Sequence, residues 1–120
     1  MIQKLSICSY RSDTFPLSYG ENTIVVSEKN IGKCRGCMRC RILKQCVSYM
    51  DDAQQCIPVV AEAEHLDLYL QPGGVIQRLL DRILYALDGR GKTFTLHIED
   101  NTEAEYVRRL LTWAKYREVQ

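Results

Sequence analysis

A chain of 120 residues, 46% of them hydrophobic, can bury a core of its own, so one domain spanning 1–120 is expected. Sixteen basic residues against fifteen acidic leave a net charge of +1, which gives no global field for nucleic acid or for an anionic membrane. No apolar run approaches a membrane span, residues 1–7 lack the apolar core of a signal segment, and the six cysteines read as reduced thiols of a cytoplasmic protein.

Residues 4–9 (KLSICS) are short and apolar and predict a buried first strand. Residues 10–22 carry Ser, Asp, Pro and Gly and read as a loop, and residues 23–26 (TIVV) are β-branched and read as a second strand. A cysteine-rich run follows. Asp51 and Asp52 then offer carboxylates to a helix start. Residues 53–64 are helical in composition, with Pro58 either kinking one helix or opening a second, shorter one. Residues 66–70 predict a third strand, in which Asp67 is awkward if both faces are buried. Gln71, Pro72, Gly73 and Gly74 form a strong turn signal. Residues 75–87 place Val75, Ile76, Leu79, Leu80, Ile83, Leu84 and Leu87 on one helical face. Residues 93–98 (TFTLHI) alternate as a fourth strand. Thr102 and Glu105 have the spacing of a capping box at the head of a helix over 102–116, and a very short fifth strand is expected within 116–119. Alternating strands and helices predict an α/β layer fold with a mostly parallel sheet, whose ligands bind beyond the carboxyl ends of the strands.

The densest chemistry is Cys34-x2-Cys37-x2-Cys40-x5-Cys46, four thiols within 13 residues. Two-residue spacers let a tight loop turn successive sulfurs toward one centre, as a soft metal or an iron–sulfur cluster requires. Structural zinc sites usually pair two separated two-cysteine knuckles, which this run lacks. Lys33, Arg35, Arg39, Arg41 and Lys44 interleave with the cysteines. Their charge favours thiolates or an anionic cluster, suits a phosphate-bearing donor such as NADPH, or simply makes a solvated basic loop. Cys8 and Cys56 stand in apolar contexts and read as core residues. His65 and His97 lack a Cys or Asp at ligand spacing and read as structural. Trp113, with Tyr106, Leu110 and Tyr116 at helical spacing, reads as core or as a dimer face. Glu99, Asp100, Glu103 and Glu105 complement a helix dipole without a metal.

Residues 33–52, KCRGCMRCRILKQCVSYMDD, resemble the iron–sulfur flavoproteins and NADPH-dependent FMN reductases. That family carries C-x-G-C-x-x-C-x5-C followed by two aspartates, matched here by Gly36, the four cysteines, Asp51 and Asp52. Pro72, Asp81, Arg82, Gly91 and Lys92 fit further family elements. The resemblance implies a flavodoxin-like three-layer sandwich with strand order 2-1-3-4-5, FMN over the strand ends, a homo-oligomer, and electron transfer from a nicotinamide or ferredoxin donor. Carried over residue by residue, Ser9, Arg11, Ser12 and Thr14 would meet the flavin phosphate, and Pro72, Gly73 and Gly74 the ring. Cys34, Cys37, Cys40 and Cys46 would hold the cluster. The chain departs from the family pattern in three places: the phosphate-loop run over residues 8–14 has no glycine, the turn at Pro72 has no tyrosine, and residues 10–22 leave little room for a crossover helix. A cofactor-free binding or assembly module, or a thiol metal binder on the same scaffold, are the other readings.

Overall fold

The sheet takes its sidedness from alternation. A computed structural model describes residues 3–11, 22–32 and 51–119. Its strands are β1 (Lys4–Cys8), β2 (Thr23–Val25), β3 (His65–Leu70), β4 (Thr93–Ile98) and β5 (Arg117–Glu118). All pairs are parallel, in the order β2-β1-β3-β4-β5. Among the described residues the α-helices are, in chain order, α1 (Ala53–Glu62), α2 (Ile76–Ile83) and α3 (Ala104–Trp113). The arrangement is α/β and consistent with a flavodoxin-like fold. The cysteine run, Ser12 and Thr14 lie outside the described residues.

Register stacks the apolar residues in rows. Leu5 lies beside Leu66, which lies beside Phe94; Ile7 lies beside Leu68, which lies beside Leu96. The steps β2 to β3, β3 to β4 and β4 to β5 all run the same way across the sheet. Right-handed crossovers therefore deliver α1, α2 and α3 to one face. Their buried residues, including Val60, Leu79, Leu80, Ile83, Val107 and Leu111, join those rows in one core. The opposite face carries the other half of the alternation: Ser6, His65, Asp67, Tyr69, Thr93, Thr95 and His97, most of them half-buried. Asp67 is thus accommodated because its side of β3 is polar. Among the described residues no helix is long and apolar enough to cross a membrane.

Several helix ends differ from the sequence expectation. Pro58 neither kinks α1 into two pieces nor starts a new helix; it sits on the exposed side, where solvent can take the carbonyl left without a donor. The expected helix over 75–87 is α-helical only to Ile83 and closes in a 3-10 turn, Leu84–Ala86, with Leu87 N donating to Leu84 O at 3.1 Å. The capping box does not form. Thr102 N donates to the Asp100 carboxylate at 2.8 Å, and Glu105 pairs with Arg109 one turn on. Ala104 is the first residue of α3, and the Glu103 carboxylate before it is diverted to Gln77 N of α2, 2.8 Å away.

The β4–β5 edge is closed by a glycine contact. Gly89 N donates to Ala114 O at 2.7 Å, and a Cβ at Gly89 would lie 2.4 Å from Tyr116 N and 2.2 Å from its ring. Tyr116 is buried there, and burial pushes its hydroxyl up to about 12. Because backbone as well as ring must move, Gly89→Ala should cost about 1–3 kcal/mol, the usual range for overpacking. Urea denaturation at neutral pH checks this; a variant as stable as the parent would mean that the β5 edge is not closely packed in solution.

Candidate functional site at the carboxyl edge of the sheet

Two constructions stand at the carboxyl edge. The first is a clasp at the neck of the cysteine run. The chain leaves the described residues at Gly32 and returns at Asp51. Gly32 N donates to Asp51 Oδ2 at 2.9 Å, and Asn30 N donates to Asp52 Oδ2 at 2.7 Å, with Asp52 N donating back to Asn30 O at 3.0 Å. Arg82, projecting from α2, locks the join: Nη1 donates to Gly32 O at 3.0 Å and to Asp51 Oδ2 at 2.8 Å, and Nη2 donates to Asp51 Oδ1 at 3.1 Å. Asp51 Oδ1 also accepts from Ala53 N at 3.1 Å and so caps α1. The Arg82 side chain is fully buried and that of Asp51 is 8% exposed. A fork-to-fork pair of this kind orients as well as attracts.

Burial alone would raise the Asp51 carboxyl. The Arg82 hydrogen bonds, the N–H donors of Gly32 and Ala53 and the Arg82 charge outweigh it, and the group lies below its ordinary value of 3.8. Of the residues matched to the family pattern, Asp51, Asp52 and Arg82 therefore meet at one place. Asp81 points elsewhere and accepts from the Tyr106 hydroxyl at 2.9 Å, joining α2 to α3. Lys92 Nζ donates to Ala61 O near the end of α1, a cation where the helix dipole favours one.

The second construction joins the loop after β1 to the loop after β3, at the point where strand order reverses. Ser9 and Gln71 are both buried. Ser9 N and Tyr10 N donate to Gln71 Oε1 at 2.8 and 3.2 Å, and Gln71 Nε2 donates to Tyr10 O at 2.8 Å. Val75 N donates to Ser9 Oγ at 2.7 Å, and the Tyr10 hydroxyl donates to Pro72 O at 2.7 Å. Arg11 makes a two-bond pair with Glu28 on the surface, at 2.5 and 3.1 Å. Gly73 holds φ +66 in the turn, with open space where a Cβ would stand. Gly74 is packed by the chain itself: a Cβ would lie 2.4 Å from Glu103 Oε1 and 2.9 Å from Ser9 Oγ. The structure thus brings Ser9 and Gly74 together, keeps Pro72 against Tyr10, and sends Arg11 to Glu28.

Other side chains fall outside both constructions. Cys8 and Cys56 are buried and free. Burial, then the nearby Glu28 charge, pushes the Cys8 thiol up to about 11, and burial also raises Cys56, so neither is a ready nucleophile at neutral pH. On the polar sheet face His97 Nε2 lies 3.0 Å from Asp67 Oδ1 and His65 Nε2 lies 3.3 Å from it, while Tyr69 stacks on His97 at 4.4 Å. Sequence spacing missed this cluster because His97 reaches Asp67 from the neighbouring strand; the His65-x-Asp67 alternation was its one visible sign. Among the described residues no group of three His, Cys, Asp or Glu side chains could hold a metal ion. Trp113 is 64% exposed at the end of α3, so it is not a core residue, whereas Tyr116 is.

The clasp predicts a mutational and a pH signature. Asp51→Asn leaves the Arg82 charge buried against a neutral partner and should cost roughly 3–5 kcal/mol at pH 7. Because the folded carboxyl ionises more readily than the unfolded one, its contribution is full above 3.8 and is lost as pH falls through the lower folded value. Urea midpoints measured from pH 7 downward should therefore converge for parent and variant only below that carboxylate range. Parallel curves at every pH would remove Asp51 as the ionised partner.

In comparisons with known proteins, no family model, no curated protein and no solved structure matches this chain.

Proposed function

We propose that this chain is a small redox protein in which Cys34, Cys37, Cys40 and Cys46 hold an iron–sulfur cluster on a flavodoxin-like sheet. The observation that carries the reading is the clasp. Residues 32 and 51 are bonded to each other and to Arg82, so the segment between them begins and ends at one fixed point. Closing a loop costs entropy that grows with its length, and here closure is secured by groups other than the sulfurs. Four thiolates on a segment already closed need less ordering to converge. A ligand set of this kind selects soft metals and clusters, and such a cluster would supply one-electron chemistry. The chain's own part is to furnish the thiolates, to offset their charge with Lys33, Arg35, Arg39, Arg41 and Lys44, and to hold both ends of the run against α2. That positive charge also suits an anionic electron donor, a nicotinamide nucleotide or an acidic protein surface.

Purification without oxygen, or reconstitution with iron and sulfide, should give a broad visible absorption band with matching iron and sulfide content. Cys37→Ser with Cys40→Ser should remove the band and the iron while the far-ultraviolet circular dichroism stays unchanged. Parent protein that stays colourless after reconstitution, or variants that keep their iron, would overturn the assignment.

A further inference from the structure

The loop after β1 is where a flavodoxin-like protein would be expected to seat a phosphate, so its donors and acceptors decide what fits. Two backbone N–H groups, from Ser9 and Tyr10, converge on one point, and one backbone carbonyl, from Tyr10, stands beside them. That is two donors and one acceptor. The Gln71 carboxamide answers all three: its oxygen accepts both N–H groups and its nitrogen donates to the carbonyl. A phosphate oxygen at the same place would satisfy the N–H pair, but it would present only lone pairs to Tyr10 O, and a half-buried acceptor left facing acceptors loses its partner and is repelled. Among the described residues, the remaining groups named for the phosphate are already engaged. Ser9 Oγ is buried and accepts the Val75 N–H, and the Arg11 guanidinium is paired with Glu28. Gln71 itself is 2% exposed and belongs to the core of the join.

We propose that the crevice between the β1 and β3 loops is closed from within by Gln71, and that the chain holds no flavin phosphate at Ser9, Tyr10 and Arg11. The side-chain amide takes the place of a ligand and ties the two loops into one unit. The proposal does not rest on the cysteine run, and it stands or falls separately from the cluster reading.

Charge chemistry at position 71 separates a carboxamide site from an anion site. Gln71→Glu keeps the shape and the accepting oxygen but replaces the nitrogen donor with a second acceptor. The proposal expects Gln71→Glu to melt below the parent at neutral pH, and to regain stability on acidification, as the protonated carboxyl recovers a donor for Tyr10 O. If the site is built for an anion, Gln71→Glu should match or exceed the parent at neutral pH, and the proposal fails. A second measurement needs no variant: in the parent, amide hydrogen exchange at Ser9 and Tyr10 should be as slow as in the β1 and β3 strands, and titration of FMN with the protein should leave flavin fluorescence unchanged. Rapid exchange at both amides, or FMN quenching with a micromolar dissociation constant, would overturn it.

Discussion

A buried guanidinium is the constraint around which the first half of this molecule is arranged. Arg82 sits on the core side of α2 with its side chain fully buried, in company with Leu79, Leu80 and Ile83. Removing such a charge from water is expensive, and the cost is offset only if a carboxylate and further acceptors meet it with good geometry. Asp51 and the carbonyl of Gly32 do so, and each brings a chain segment with it. The strand-to-turn exit after β2, the start of α1 and the last turn of α2 are thereby fixed to one another. Two apolar side chains of similar volume could fill the same space at comparable net stability. What an apolar pair would not do is hold the Gly32 backbone at hydrogen-bond distance from Arg82 and Asp51.

The two constructions at the carboxyl edge use the same physical device. Backbone groups that no strand or helix satisfies must find partners, and the partners here are side chains from elsewhere in the chain. Asp51 serves Gly32 and Ala53; Gln71 serves Ser9 and Tyr10; Ser9 serves Val75; Glu103 serves Gln77. The first turn of α2 is therefore supported by Ser9 from the β1 loop and Glu103 from the α3 start. Gly74 makes this crowding feasible, because any side chain there would strike both supports. In many α/β proteins the strand ends stay open so that a ligand can supply the missing partners. At the β1 and β3 loops of this chain the partners are internal.

Much of the architecture was legible in sequence because it follows from periodicity. The short apolar run of residues 4–9, the strand expected over 66–70 and the alternation of TFTLHI marked three strands, the apolar face of residues 75–87 marked α2, and the strand order expected from the family resemblance is the one found. The pairing of Asp51 with a distant arginine was partly legible, since Asp51, Asp52 and Arg82 were each matched to a family pattern, though not to one another. What stayed hidden depends on partners distant in sequence. Gln71 read only as the first residue of a turn, and nothing local reveals that its amide answers Ser9 and Tyr10 some sixty positions away. The Thr102 capping box was a sound local signal that lost to two competitors, Asp100 for the Thr102 N–H and Arg109 for the Glu105 carboxylate. Trp113 shared helical spacing with Tyr106, Leu110 and Tyr116 but lies beyond the buried stripe of Ala104, Val107 and Leu111.

The polar face of the sheet completes the account of why function is sought at the loops. Parallel sheets are usually apolar on both sides, and their strands read as continuous hydrophobic runs. β3 and β4 do not: their alternate residues are His65, Asp67, Tyr69, Thr93, Thr95 and His97, and these satisfy one another. His65 contacts Thr93 at 2.7 Å and Thr95 at 3.2 Å, Asp67 lies against both histidines, and the Thr95 hydroxyl donates to Val119 O at 3.0 Å. A face that meets its own hydrogen-bonding demand can remain half-exposed among the described residues. The apolar rows on the other side carry the cohesion through α1, α2 and α3. Stability thus comes from one face and polar order from the other.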